Sequence, residues 1–145
     1  MIMPEFGLGA FSTGTLIGLM LGAYLGHAFA IRRGKIQSRH NAAIELKKAF
    51  RRCTLQIENG ENPTIMVSAE YHKQHEAAMD YSATLNGRAL KKFNRSVNEY
   101  TEWFKVVCNR TAAQTLYEQD DPEYLKIKNK DPLELINGML KYANT

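Results

Sequence analysis

The sequence predicts an all-α protein: one N-terminal transmembrane helix followed by a small antiparallel helical bundle of three to four helices. Three observations predict it. Residues 7–31, GLGAFSTGTLIGLMLGAYLGHAFAI, hold no Asp, Glu, Lys or Arg. Downstream, apolar residues recur at alternating three- and four-residue steps, the period of a helix with one buried face. No stretch alternates apolar and polar residues in the period-2 manner of a half-buried strand.

At about 1.5 Å per residue the apolar stretch makes a helix of roughly 37 Å, enough to cross a ~30 Å hydrocarbon core with tilt. Gly14, Gly18, Gly22 and Gly26 recur every fourth residue, and Ala10 and Ala30 extend the series. These positions share one ridge, a strip without bulk that lets a second backbone approach closely. Each step of four drifts about 40° around a straight helix, so the strip winds in the sense of a right-handed crossing. Phe11, Ile17, Leu19, Met20, Leu21 and Leu25 lie mostly off it, toward lipid. Tyr24 and His27 fall near the end of the span, where amphipathic rings favour the headgroup interface. Ala28-Phe29-Ala30 looks like a small-residue cleavage site, but Glu5 is the only charged side chain before the span, and Arg32, Arg33 and Lys35 follow it at once. The reading is an uncleaved anchor. The positive-inside rule puts residues 1–6 outside and residues 32–145 in the cytoplasm.

About 110 residues remain outside the span, enough for one small domain with one core. The net charge of +4 is unevenly spread, because residues 32–52 carry eight Lys/Arg against Glu45, a local +7, while residues 53–145 sum to −2. A basic segment beside a span suits the anionic cytoplasmic leaflet, at about 1 kcal/mol per cation held near the surface. Arg32, Arg33, Lys35 and Arg39 are the expected headgroup contacts. No nucleic-acid motif accompanies this charge. Cys53 and Cys108 lack CxxC or metal spacing and read as core thiols in a reducing compartment, or as a pair if the topology is inverted.

The first helix after the span uses Ile36, Arg39, Ala43, Leu46, Phe50, Cys53 and Ile57. Only Gly34 separates it from the apolar stretch, so one long, bent or straight helix runs to about Glu58, where Asn59-Gly60-Glu61-Asn62-Pro63 ends it. A second helix is expected from Thr64 to Leu85, with Val67, Tyr71, His75, Ala78, Ser82 and Leu85 as its inner stripe and Met79 beside it. Asn86-Gly87 stops it. The third is the clearest, with Leu90, Phe93, Val97, Tyr100, Phe104 and Val107 in register and Trp103 and Cys108 widening the face. It frays near residues 109–111. Residues 112–130 are polar, acidic at Glu118, Asp120, Asp121 and Glu123, and read as an irregular connection holding at most a short helical turn. The last helix opens on Asp131 as N-cap, Pro132 at the first helical position and Glu134 closing a capping box. Ile136, Met139, Leu140 and Ala143 form its buried face.

Candidate chemistry is sparse. His72 and His75 sit three apart on one helix face, a weak candidate for a metal, but a closed site needs further ligands and HExxH is absent. His75 is expected at the core boundary with a hydrogen-bond partner and His72 in solvent. Tyr100, Trp103 and Phe104 have the spacing of core aromatics rather than of a stacking platform. The acidic run lacks a Ca²⁺-loop pattern, and no phosphate loop, nucleophile elbow or Ser/His/Asp set is present. Neither a cofactor nor an enzymatic activity is expected.

Arg39 to Phe50, the H-x-x-A-M-x-Y of His75 to Tyr81, Phe93 to Tyr100, and Asp131-Pro132 through Leu140-Lys141-Tyr142-Ala143 together resemble the layout of a loose group of small, uncharacterised bacterial single-pass membrane proteins with a cytoplasmic helical domain. The resemblance implies an inner-membrane location and brings no activity and no catalytic residues. The leading expectation is a non-enzymatic, membrane-anchored assembly or interaction module. It would self-associate, or join a larger membrane complex, through a glycine-zipper helix, with lipid and another membrane protein or a second copy as partners. Nucleic acid and small-molecule substrates are not expected. The alternatives are a toxin, holin-like or defence effector that oligomerises and permeabilises the membrane, with His27 lining a pore, and a metal-sensing or catalytic domain at His72/His75.

Overall fold

A computed structural model describes residues 13–118 and 120–144. The described residues form helices and no strand: α1 (Thr13–Glu58), α2 (Pro63–Ser82), α3 (Gly87–Trp103) continuing into a π-helical turn (Phe104–Cys108), α4 (Ala112–Glu118), α5 (Pro122–Lys128) and α6 (Pro132–Leu140) closing in a 3₁₀ turn (Lys141–Asn144). The chain divides into two compact units between Gln37 and Ser38.

Residues 13–37 belong to α1 alone, and every one of them is exposed. Leu16, Ile17, Leu19, Met20, Leu21, Leu25, Phe29 and Ile31 are all bare on this helix. Among the described helices, α1 is the one long and apolar enough to cross a membrane. Gly34 does not interrupt it. Residues 7–12 of the expected span, Ala10 and Phe11 included, lie outside the described residues.

Residues 38–144 carry the core. Leu46, Phe50 and Cys53 of α1, Val67 and Tyr81 of α2, Phe93 and Val97 of α3, and Ile136 and Met139 of α6 are buried in one cluster. At about 25 cal/mol per Å² of apolar surface removed from water, such burial is the main drive for the unit. Arg52 adds a partly exposed ion pair to Glu70 at 3.8 Å between α1 and α2.

The ends of the helices follow local chemistry. Gly60, with φ +91, ends α1 in a Schellman motif: Glu61 N–H donates to the Gln56 carbonyl at 3.0 Å and Gly60 N–H to that of Ile57 at 3.0 Å. Three helices then start with the same device, an Asx side chain followed by proline. Asn62 Oδ1 accepts from Thr64 N–H at 3.0 Å, Asp121 Oδ1 from Glu123 N–H at 3.0 Å, and Asp131 Oδ1 from Leu133 N–H at 2.9 Å. The proline in each lacks only an N–H that would have had no helical partner.

Residues 112–130 differ from the expected irregular connection, since they hold two short helices. Thr111 and Gln114 make a reciprocal capping box for α4, with Thr111 N–H donating to Gln114 Oε1 at 3.1 Å and Gln114 N–H to Thr111 Oγ1 at 3.3 Å. Asp121-Pro122-Glu123 starts α5. Its Tyr124 is buried beneath the Arg110 guanidinium, 3.8 Å from the ring centre.

The inner face of α2 also differs. Gln74 and Tyr81, neither in the expected stripe, are fully buried, while His75 and Ser82 are half-buried. The helix ends at Ser82 rather than Leu85, where Ser82 Oγ and Thr84 Oγ1 each donate to carbonyls of its last turn. Leu85 is still buried, from the turn that follows. Gly87 takes φ +58 at the entry to α3, which an L side chain resists. In α3 the π turn adds a residue to the last turn, closed by Asn109 N–H donating to the Phe104 carbonyl at 3.1 Å. The shift in phase fits the burial pattern: Trp103 is buried, whereas Phe104 and Val107 are half-buried.

Tyr81 ties the C-terminal turn down. Its hydroxyl donates to the Tyr142 carbonyl at 2.6 Å, and its ring meets Phe93 edge-on at 5.0 Å. Tyr81→Phe keeps the ring contact and leaves that carbonyl without its donor. It should lower stability by about 1–2 kcal/mol, read as a shifted urea midpoint at unchanged slope.

Candidate functional site

The four-residue series of small residues falls on α1 from Gly14 onward, and Ala10 lies outside the described residues. Gly14, Gly18, Gly22, Gly26 and Ala30 are all exposed. A Cβ added at Gly18, Gly22 or Gly26 would meet nothing within 4 Å, so no contact among the described residues accounts for the missing side chains. Gly34 continues the four-residue series one step past Ala30, and it too has open space around its Cβ position. In the sequence Gly34 is the one breaker between the apolar stretch and the helix that follows, and α1 runs through it. Its spacing alone marks it as a member of the ridge. Gly26, Ala30, Gly34 and Gln37 line one shallow groove with Phe29 and Arg33.

Arg32, Arg33 and Lys35 are exposed, and Arg39 is half-buried. Tyr24 is 71% exposed and His27 is exposed on the same helix.

His72 is exposed, and His75 is half-buried. The His75 ring stacks on Tyr71, with centroids 5.6 Å apart and planes 22° apart. Tyr71 in turn lies flat on Phe104 at 3.6 Å, and its hydroxyl donates to Thr101 Oγ1 at 3.2 Å. Aromatic packing is therefore what positions His75. No group of three or more His, Cys, Asp or Glu among the described residues is arranged to hold a metal ion.

The concentrated polar chemistry lies inside the core. The Tyr100 hydroxyl donates to Gln74 Oε1 at 2.5 Å, and the Tyr100 ring meets Phe50 edge-on at 5.6 Å. Gln74 Nε2 has no acceptor in regular hydrogen-bond geometry, and the group its amide bears on is the Cys53 sulfur. Burial pushes the Cys53 thiol up from its ordinary value, the Gln74 amide opposes this, and the Glu70 charge adds to it. Burial likewise raises the Cys108 thiol against a bond from Ser68, and raises the Tyr100 phenol far above its usual range. Both cysteines are free thiols. Raised thiols are poor nucleophiles, and a phenol so raised stays neutral.

No protein family, curated protein or solved structure matches this chain.

Two expectations follow. Tyr100→Phe strands Gln74 Oε1 in the core and should cost about 1–3 kcal/mol, whereas Tyr100→Phe/Gln74→Met should cost less than the two single changes together. A denaturant double-mutant cycle reads the difference. The pH dependence has a definite sign. The two thiols and the Tyr100 phenol have folded values above their unfolded ones, so their contribution is complete below the unfolded thiol value of 9.0 and is lost as pH climbs toward the folded values. The melting temperature should fall above about pH 9 for this reason, and Cys53→Ala/Cys108→Ala should shrink the fall without removing it, because Tyr100 remains.

Proposed function

We propose that the chain is a non-enzymatic, single-pass membrane protein that works as an assembly module, anchored by the first part of α1. Its bare apolar surface supports this reading most. Eight large apolar side chains stand exposed between Leu16 and Ile31, far more than a helix keeps in water without something to cover it. Lipid covers the bulky side chains. The ridge of Gly14, Gly18, Gly22, Gly26 and Ala30, continued by Gly34, is where a second helix packs, since small residues let backbones come close in a medium that gives no hydrophobic drive. Arg32, Arg33 and Lys35 at the end of the apolar run orient the chain with its N-terminus outside and residues 38–144 in the cytoplasm. They bind anionic headgroups together with Arg39. The resemblance to small bacterial anchored proteins makes the bacterial inner membrane the proposed site. The helices of residues 38–144 form an antiparallel bundle that presents a surface to partners.

The test is the mass of the full-length protein in mild detergent, by light scattering. Gly18→Leu/Gly22→Leu puts two bulky side chains in the middle of the ridge. It should lower the mass of a defined oligomer and leave membrane insertion unchanged. Equal masses for the two proteins would overturn the ridge as a self-association surface.

A further inference from the structure

Residues 38–144 carry two bare surfaces of opposite charge. The first is a groove of about 460 Å³ where Ile44 and Leu55 of α1 meet Leu140 of α6, bordered by Lys47, Lys48 and Arg51. Ile44 is 39% and Leu55 50% exposed. The α1 members recur at three- and four-residue steps and so form one stripe. Lys47 and Arg51 have no acidic partner among the described residues. The second surface is α4 and the turn after it. Residues 112–117 are all exposed, with Leu116 at 71% and Tyr117 at 90%. Asp120 and Glu123 follow, exposed and likewise without a cationic partner among the described residues.

We propose that Leu116 and Tyr117 of one copy dock into the Ile44–Leu55–Leu140 groove of a second copy, with Asp120 and Glu123 facing Lys47 and Arg51. This deepens the assembly reading and rests on it. Each surface supplies what the other lacks: a concave apolar site with cations at its edge, and a protruding Leu-Tyr pair with carboxylates beside it. A Tyr offers large contact area at little entropic cost, which suits it to anchor such a contact. A flat anionic bilayer would use the cations but has no knob for a groove walled by a second helix, and it would repel the acidic flank of α4. Because groove and knob are different patches, the contact is head-to-tail and extends into rings or rows of anchored copies.

The experiment places a photoreactive benzoylphenylalanine at position 117 of the full chain. Light- and heavy-isotope copies are mixed in vesicles of neutral and anionic lipid, irradiated and mapped by mass spectrometry. The expected product joins position 117 of one isotope to residues 44–55 or to Leu140 of the other. Lys47→Glu/Arg51→Glu should cut its yield about tenfold, and adding Asp120→Lys/Glu123→Lys should restore it. Cross-links only to lipid, only within one copy, or to another stretch of chain would overturn the proposal, as would a yield indifferent to the charge reversal. Detergent mass measured with Lys47→Glu/Arg51→Glu present reads the glycine ridge alone, so either idea can fail without the other.

Discussion

The register of the core of residues 38–144 is fixed by one buried hydrogen bond, from the Tyr100 hydroxyl to Gln74. Around it three helices meet: Phe50 of α1 edge-on to the ring, Gln74 of α2 at its hydroxyl, and α3 carrying the ring itself. A phenol and an amide buried together are costly unless they satisfy each other, and once satisfied they allow one register between the helices that carry them. Apolar side chains alone would tolerate a slide or a rotation of α2. The amide does not, because any other rotation would take it off the Tyr100 hydroxyl. Cys53 is buried in the same cluster, and burial raises its thiol value.

A second bond performs a similar service at the C-terminus. α6 is short, and a helix of its length holds little structure by itself. Its Asx-Pro start sets where it begins, and Ile136 and Met139 bury its inner face. The Tyr81 hydroxyl then holds the Tyr142 carbonyl, so the final 3₁₀ turn closes over the α2–α3 contact. α4 has no such tie among the described residues, and its residues 112–117 are exposed.

α1 joins two kinds of surface in one helix. Up to Gln37 it buries nothing, and from Ala43 to Cys53 it contributes a face to the core. The change follows composition. In the first part, bulk and smallness alternate around the helix, which suits neighbours in lipid. In the second, apolar residues gather on one side and cations on the other, which suits a core on one side and water on the other.

The sequence by itself determined the helical class, the place and extent of α1 to Glu58, the start of α6 at Asp131-Pro132, and the α3 stripe through Tyr100. These are local properties: the period of apolar residues, and caps whose donors and acceptors lie within three residues of each other. It also held two signals that went unread, the Thr111/Gln114 box and the Asp121-Pro122 start, so α4 and α5 were legible in principle. The four-residue spacing from Gly14 to Ala30 is a property of the sequence alone, and Gly34 continues it. Only the tertiary structure decided that Gln74 and Tyr81 turn inward, that a π turn reorients the end of α3, and that Ile44, Leu55 and Leu140 line one groove. The physical reason is that a polar side chain is worth burying only when its partner arrives. Those partners, Tyr100 for Gln74 and the Tyr142 carbonyl for Tyr81, stand 26 and 61 residues away.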